Sequence, residues 1–399
     1  MGMGYPYGSR EGNAIIGSLT ALMTGIAYQT SIEIAEKLGP FERFESNKEH
    51  MLRVIRNHRR ATYNVPIEEF EGLNTNIMQI DDTHVDKTLI NAVRKVWDNV
   101  LEKGEKFGFR NAHVSVIMPT GTCGLQLDAD TTGIEPDFSI IKYKKLAGGG
   151  YFKIVNQSVD RALNNLGYSS DQISEIIKYI IGHNSLTNSP FINRSTLLSK
   201  GFTTEILDKI EEGLRFVPGI QFAFNKWNIG EDFCVNNLGI PREMLDEKDF
   251  SILHFLGYSD KQIEEADKYI CGVGTIEGAP YVKEEHYAIF DCANQCGKYG
   301  KRFIAPNLHV YAMAAAQPFL SGSISKCVTG DTLIISEKGL IPIKSLYNNE
   351  QPDTFTELYL TVGSLGQEKK TNAFYYGGKK PVSEVKLSNK MKVTGTYNH

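Results

Sequence analysis

The sequence has 399 residues, with 43 basic and 47 acidic side chains and a net charge of −4. This near-neutral balance argues against nucleic-acid binding through bulk positive charge. No stretch approaches the ~18–20 uncharged apolar residues of a membrane span, and no secretory signal opens the chain. Six cysteines are too few for a disulfide framework, so we expect reduced thiols and a cytoplasmic location.

Helical periodicity dominates the first 326 residues. Apolar residues at steps of three or four predict a first helix over 15–38, which ends at Gly39-Pro40. The same spacing predicts further helices at about 47–61, 85–103, 170–181, 203–213, 260–271 and 309–316. Short buried strands are predicted at 113–118, 138–143, 221–225 and 319–324. Alternation of this kind indicates an α/β architecture.

The composition changes at residue 327. All 13 arginines precede it, whereas the last 73 residues carry nine lysines, seven acids and no arginine. Short turn-punctuated β patterns follow, at 331–335, 354–362, 371–376, 382–387 and 391–393. We therefore predict a boundary at Lys326/Cys327, between a domain of 1–326 and a small all-β domain of 327–399.

The first domain contains an internal repeat with an offset of 90 residues. The Leu-Gly-Tyr-Ser run at 166–169 recurs at 256–259, and seven further positions match in the same register. The repeats cover about 166–192 and 256–282. They predict a duplicated helical hairpin, packed as a pair, with a structural role.

One loop has the composition of a phosphate cradle. Met118-Pro-Thr-Gly-Thr-Cys-Gly124 follows a predicted strand, so that the N–H groups and hydroxyls of Thr120, Gly121 and Thr122 could face one anion. No Gly-Lys-Ser/Thr follows, so this is not a P-loop. From the residues alone, a plain strand-to-loop turn is the better-supported alternative.

Three other clusters of side chains each allow two interpretations. Asp128, Asp130 and Glu135 resemble a metal cluster, but their irregular spacing favours solvated loop carboxylates. Cys292 and Cys296 lack the second close pair of a zinc site, which favours reduced thiols. A basic helix face is read either as an anion site or, preferably, as a solvated surface; its members are Lys48, Arg53, Arg56, Arg59 and Arg60.

Several blocks in order resemble one enzyme family. Together they make the segment from Tyr5 to Lys326 similar to the adenosylcobalamin-dependent (class II) ribonucleotide reductases. The blocks are Met118-Pro-Thr-Gly-Thr122, Asp130-Thr-Thr-Gly-Ile-Glu-Pro-Asp-Phe138, Lys144-Lys-Leu-Ala-Gly-Gly-Gly-Tyr-Phe-Lys153, Asn156-Gln-Ser158, Phe222-Ala-Phe-Asn-Lys-Trp227, Glu277-Gly-Ala-Pro280, Gly300-Lys-Arg-Phe303 and Ala314-Ala-Ala-Gln-Pro-Phe-Leu-Ser-Gly-Ser-Ile-Ser-Lys326.

The resemblance implies the second half of a ten-stranded α/β barrel. It also implies radical reduction of ribonucleoside di- or triphosphates to deoxyribonucleotides for DNA synthesis, with adenosylcobalamin as cofactor. The resemblance allows a homodimer when the enzyme is complete. In that family the Pro-Thr-Gly-Thr loop binds substrate phosphates, which gives this role to Thr120, Gly121 and Thr122. No other metal is expected.

The family's radical cysteine lies in an Asn-x-Cys-x-Glu pattern, which this sequence lacks. The nearest candidate, Cys234, is followed by Val235-Asn236. We therefore expect the chain to lack the first half of the barrel and to be inactive alone, with the missing half as a partner.

The last domain resembles the start of an intein, or Hint domain. Cys327-Val-Thr-Gly-Asp-Thr-Leu333 and Val393-Thr-Gly-Thr-Tyr-Asn-His399 are similar to its opening blocks. The thiol of Cys327 would attack the Lys326 carbonyl, while Thr396 and His399 polarise the scissile amide. The rest of the intein and the following reductase segment would be further partners, and splicing in cis would not occur. The alternative function is thus a split-intein precursor with an inactive reductase part.

Overall fold

The computed structural model describes most of the chain up to residue 324 and separate segments beyond it. The described residues are 1–73, 75–145, 151–247, 249–324, 333–336, 339–346, 354–364, 367–376, 382–386 and 392–396. They divide into two compact bodies, one of 1–116 with 135–323 and one of 117–134 with 324–399.

The first body is mainly helical. Its strands β1 (Ile141–Lys145) and β2 (Tyr151–Val155) form an antiparallel hairpin. Its helices are α1 (Arg10–Leu38), α2 (Phe44–Tyr63), α3 (Lys87–Phe107), α5 (Ser158–Asn165), α6 (Ser170–Ile181), α7 (Arg194–Ser199), α8 (Thr204–Leu214), α9 (Lys226–Ile229), α10 (Glu231–Asn236), α11 (Ile252–Phe255), α12 (Asp260–Cys271) and α13 (Pro306–Ala316), while α4 (Gly121–Gln126) belongs to the second body. All seven helices predicted from periodicity are confirmed, with ends shifted by a few residues.

An aromatic cluster holds α1 against α3. The rings of Trp97 and Phe109 both meet Tyr28 edge-on, and all three side chains are buried. The Trp97 indole N–H donates to the carbonyl of Ala21, 3.0 Å away, so its one polar atom is satisfied. Gly25 lets the helices approach, since a Cβ there would lie 2.7 Å from Val96.

Helix α1 corrects one expectation from the sequence. It is long and apolar enough, by length and composition alone, to cross a membrane. Half of its most apolar window is buried, and the helix packs on α3 and α13. Residues 12–32 carry no charged side chain, but uncharged polar residues interrupt the apolar ones, so the segment does not stand out as a continuous apolar stretch. The core helix of a soluble protein passes the same test.

The two repeats pack as a reciprocal pair, as predicted. The N–H of His183 donates to the carbonyl of Tyr269 (2.9 Å), and the N–H of Val273 donates to that of Tyr179 (3.0 Å). These two hydrogen bonds exchange under the 90-residue offset, which defines an approximate twofold relation. Helices α6 and α12 both begin with a capping box, formed by a serine and a glutamine three residues later.

The strand predictions for the first body agree less well with the structure than the helix predictions do. The strand at 138–143 appears as β1, three residues later. The prediction at 221–225 is wrong: the side chain of Asn225 accepts from the N–H groups of Trp227 and Asn228, which caps α9 and ends any strand.

The predictions at 113–118 and 319–324 are wrong as regular strands: Phe319 ends a short 3-10 helix, and Ile117 and Ile324 form an isolated bridge. The Ser321 hydroxyl accepts from the N–H groups of Val114 and Ser115, taking the place of strand carbonyls. One backbone bond, from Gly322 N–H to Ser115 O (2.9 Å), completes the contact. The described residues are thus rich in helix with few strands, and the ten-stranded barrel implied by the resemblance is not visible in them.

The end of the second body is β-rich, as predicted. One antiparallel sheet has the order β4-β3-β5-β6, and β7 pairs with β8. The strands are β3 (Leu333–Ser336), β4 (Gly339–Pro342), β5 (Thr354–Ser364), β6 (Gln367–Tyr376), β7 (Val382–Lys386) and β8 (Lys392–Thr396). The predicted boundary at Lys326/Cys327 lies outside the described residues and stays a prediction.

Candidate phosphate-binding site

The Pro-Thr-Gly-Thr loop is a tight turn that leads into the short helix α4. Thr120 has a left-handed backbone, with φ 47°, and its carbonyl accepts from the N–H of Gly124 at 2.8 Å. Its side chain is exposed, and the hydroxyl lies 3.5 Å from the Met118 carbonyl. The first N–H groups of a helix have no intrahelical acceptor, so those that follow Thr120 can meet a ligand. With six residues, α4 adds little dipole, so a phosphate bound here would depend on the N–H groups and on the Thr120 hydroxyl.

Two neighbouring segments support this loop within the second body. Ile117, just before it, forms a parallel bridge with Ile324. Gly133 packs against it so closely that a Cβ would lie 2.4 Å from the Met118 carbonyl. The Gly133 φ of 56° suits glycine in any case. Thr120 and Gly121 therefore lie just after the bridge of Ile117 and beside Gly133, and their role in phosphate binding stays a prediction.

The carboxylates after the loop do not assemble a metal site. Asp128 is exposed, and Asp130 and Glu135 are half-buried. Among the residues that the structure describes, no group of three or more His, Cys, Asp or Glu side chains could hold a metal ion. The interpretation of Asp128, Asp130 and Glu135 as solvated loop carboxylates stays a prediction.

The basic face of α2 is neutralised by acids. Arg56 donates through two nitrogens to Glu71, at 2.7 Å each, and Arg60 reaches the same carboxylate at 2.5 Å. Arg59 pairs with Asp98 at 2.7 Å. The hydrogen bonds from Arg56 and Arg60 hold the pKa of Glu71 at about 2. An anion site at Arg56, Arg59 and Arg60 is therefore disfavoured, because these guanidinium groups already donate to acids.

Sequence reasoning missed a buried polar network next to β1. The Asp137 carboxylate is 6% exposed and accepts from the N–H of Phe138 (2.7 Å), the ammonium of Lys142 (3.0 Å) and the amide of Asn156. A buried carboxylate needs such partners. The signal in the sequence is that Asp137 and Asn156 lie in two of the blocks that resemble the reductase family, but nothing in those blocks indicates that the two side chains meet.

The structure describes Cys234 and Thr396, whereas Cys327 and His399 lie outside the described residues. Cys234, the nearest candidate for a radical cysteine, is fully buried in α10, and burial raises the pKa of its thiol. Thr396 is the last residue of β8, paired in register with Val382 of β7. The side chain of Thr122 also lies outside what is described.

Comparison with known proteins defines the class. The family described as "Ribonucleotide reductase, barrel domain" matches residues 1–204. The chain belongs to this ribonucleotide reductase family.

The names of individual relatives are more specific than that of the family. A vitamin B12-dependent ribonucleotide reductase of Bradyrhizobium diazoefficiens is 52% identical over 329 residues, which are 82% of this chain and 26% of that protein. Its namesake in Agrobacterium fabrum is 51% identical over the same shares, and that of Rhodopirellula baltica is 36% identical over 83% of the chain and 22% of the relative. The chain thus spans about a quarter of the length of these relatives.

Proposed function

We propose that this chain is part of a vitamin B12-dependent ribonucleotide reductase and contributes its substrate-phosphate loop. The observation that carries this is the exposed Thr120 turn, placed just after the bridge of Ile117, in a chain that is 52% identical to such an enzyme over 329 residues. The substrate would be a ribonucleoside di- or triphosphate. Hydroxyls and N–H groups at 120–122 would hold its phosphates and orient the ribose for reduction.

Adenosylcobalamin would supply the radical that starts the reduction when it is bound. Two cavities lined by described residues measure about 300 and 590 Å³, a size for small ligands. A corrinoid is larger, and none of the residues lining them carries a recognisable cobalamin contact. We therefore assign no described residue to the cofactor and derive no step through it.

The reduction itself would need the remainder of the reductase. The Asn-x-Cys-x-Glu pattern does not occur in the 399 residues. Without that thiol, 3′-hydrogen abstraction has no carrier, so we propose that this chain alone binds nucleotide but does not reduce it.

Nucleotide binding by the full chain tests the reductase part. Calorimetric titration with a ribonucleoside diphosphate and with the matching triphosphate should show binding that Thr120→Ala weakens. Thr187→Ala, at another exposed threonine, is the matched control and should bind as the parent does. Equal affinity of the Thr120 variant and the parent would remove the loop from the site.

A second function, acyl transfer at Lys326–Cys327, is supported by the β-rich tail. The three relatives match 329, 329 and 332 residues, close to the 326 that precede Cys327. The antiparallel strands β3 to β8 follow that point. We propose that Cys327 starts an intein segment, in which its thiol converts the preceding peptide bond to a thioester.

Release by added thiol tests this second function. Incubation with dithiothreitol should yield a product that ends at Lys326, seen by intact mass. Cys327→Ala should abolish the release, whereas Cys123→Ala, at an exposed cysteine outside the segment, should leave it unchanged. Release from Cys327→Ala would refute the intein assignment.

A further inference from the structure

The two repeats build a cavity of about 590 Å³ where they meet. Its lining contains residues that are equivalent under the 90-residue offset, namely Lys178 with Lys268, Tyr179 with Tyr269, and Pro190 with Pro280. The Tyr179 hydroxyl donates to the carbonyl of Glu277 at 2.9 Å. The Tyr269 hydroxyl donates to the carbonyl of Thr187 at 3.3 Å, which is the equivalent hydrogen bond. The cavity therefore follows the approximate twofold relation of the repeats.

Aromatic rings line this cavity. The rings of His183 and Tyr269 stack, with centres 3.9 Å apart and planes 5° from parallel. The ammonium of Lys268 lies 4.5 Å from the centre of the Tyr299 ring. Because the face of a tyrosine ring attracts cations, this contact is favourable. The cavity thus already places one ammonium group against an aromatic wall.

The two lysines of the cavity are paired with acids. Lys178 binds Glu175 at 2.8 Å, within α6. Lys268 binds Glu264 at 2.6 Å, within α12. Glu265, the repeat equivalent of Glu175, is therefore left over: its half-buried carboxylate makes no hydrogen bond or ion pair with the described residues. One repeat leaves open a carboxylate that the other repeat neutralises.

Glu277 adds a second negative charge to the lining. One of its carboxylate oxygens accepts from the N–H groups of Lys301 (2.8 Å) and Arg302 (3.0 Å). The other oxygen accepts no hydrogen bond from the part of the chain that the structure describes. With His183 counted as neutral, the lining and its ion-pair partners contain four glutamates against two lysines, a net charge of −2. Two positive charges would neutralise the cavity.

We propose that this cavity binds an aliphatic polyamine. Its ammonium groups would donate to the carboxylates of Glu265 and Glu277, since hydrogen bonds between charged groups are the strong ones. Its methylene groups would lie against the tyrosine rings and the two prolines. An anion would meet the open carboxylates, and an uncharged ligand would cover them without a donor, so both are disfavoured. The proposal is independent of nucleotide binding and of intein chemistry.

Calorimetric titration of the full chain with spermidine tests the cavity. The parent chain should bind it at a saturable site. Glu265→Gln keeps the size of the side chain but removes the charge, and it should weaken binding at least about tenfold. Glu212→Gln is the matched control, because it removes the same charge from an exposed glutamate of α8 outside the cavity. It should bind as the parent does, and all three chains should unfold at the same urea concentration.

A neutral ligand separates charge recognition from burial of the chain. Octanediol has the same chain length as spermidine but no ammonium group, so it should not bind. Equal affinities of the Glu265 and Glu212 variants for spermidine would mean that the overall negative charge attracts the amine, and this result would overturn the proposal. Binding of octanediol as tightly as spermidine, or no binding of spermidine to the parent chain, would overturn it as well.

Discussion

Gly182 and Gly272, 90 residues apart, contact each other's chain segments across the repeat pair. A Cβ at Gly182 would lie 2.3 Å from the carbonyl oxygen of Ile270, and one at Gly272 would lie 2.3 Å from that of Ile180. Both glycines have φ 82° and cap the helix before them. The twofold relation thus depends on the absence of a side chain at its centre.

Alanine at either glycine should disrupt the pair. We expect Gly182→Ala to lower the free energy of unfolding by about 4 kcal/mol, since it adds a backbone clash to the cost of a left-handed residue. Gly167→Ala is the matched control: its φ is 85°, but nothing lies within 4 Å of a Cβ there. It should cost only about 1–2 kcal/mol. Urea unfolding measures both, and equal losses would show that the contact is not tight.

Lys153 joins the same pair to the β hairpin. Its ammonium donates to the carbonyl of Ile181 at 2.5 Å and to that of Cys271 at 3.0 Å. These carbonyls are repeat equivalents, and each ends a helix. Burial lowers the pKa of Lys153, whereas the nearby Asp267 favours its charged form. The two carbonyls accept hydrogen bonds from that charge. A single cation therefore satisfies both helix C-termini.

Lys153→Met should remove both hydrogen bonds while keeping most of the side-chain volume. The expected loss in unfolding free energy is about 3 kcal/mol, the range for hydrogen bonds to a charged group. Lys178→Met, at an exposed lysine of α6 that pairs with Glu175, should cost much less, because that ion pair is exposed to solvent. If the two variants unfold at the same urea concentration, the bridging role of Lys153 is wrong.

The paired guanidinium groups of α2 predict a pH dependence. The hydrogen bonds from Arg56 and Arg60 depress the pKa of Glu71 from 4.5 to about 2 in the folded chain. The stabilisation is therefore complete above the ordinary value and is lost as the pH falls from 4.5 towards 2. Because the carboxylate is 32% exposed, we expect about 1–2 kcal/mol after screening.

A comparison of Glu71→Gln with the parent chain at several pH values checks this. The difference in unfolding free energy should be largest near neutral pH and should shrink in acid. Glu49→Gln is the control, since Glu49 pairs with the same Arg56 but is 77% exposed. It should change stability little at any pH. A pH-independent difference for the Glu71 variant would contradict the assignment.

Helices and repeats could be predicted because their signals are local. The capping serines Ser169 and Ser259, the glycines that end α6 and α12, and the apolar spacing all lie within a few residues of the structure they specify. The register of 90 also predicted the pairing, since matched helices bury matched faces. The predicted strand at 221–225 failed because Asn225 prefers its cap to a ladder.

The polar contacts of the first body could not be predicted from the sequence, because they join segments that are far apart in the chain. The ammonium of Lys153 donates to the carbonyl of Cys271, 118 residues away, and the N–H of Ala293 donates to the carbonyl of Asp137. Nothing in the spacing of these residues specifies that they meet.

The contact between Gly133 and the phosphate loop gives the sharpest test of the candidate site. A Cβ at position 133 would lie 2.4 Å from the Met118 carbonyl, two residues before Thr120. Gly133→Ala should therefore displace the turn and weaken binding of a ribonucleoside diphosphate at least about tenfold, or about 1.4 kcal/mol. Because the clash is confined to the loop, the main unfolding transition should stay unchanged. Cys123→Ser, at an exposed position of α4 with no such clash, should bind as the parent chain does. Unchanged affinity of Gly133→Ala by calorimetry would mean that the nucleotide binds away from this turn, whatever the family resemblance implies.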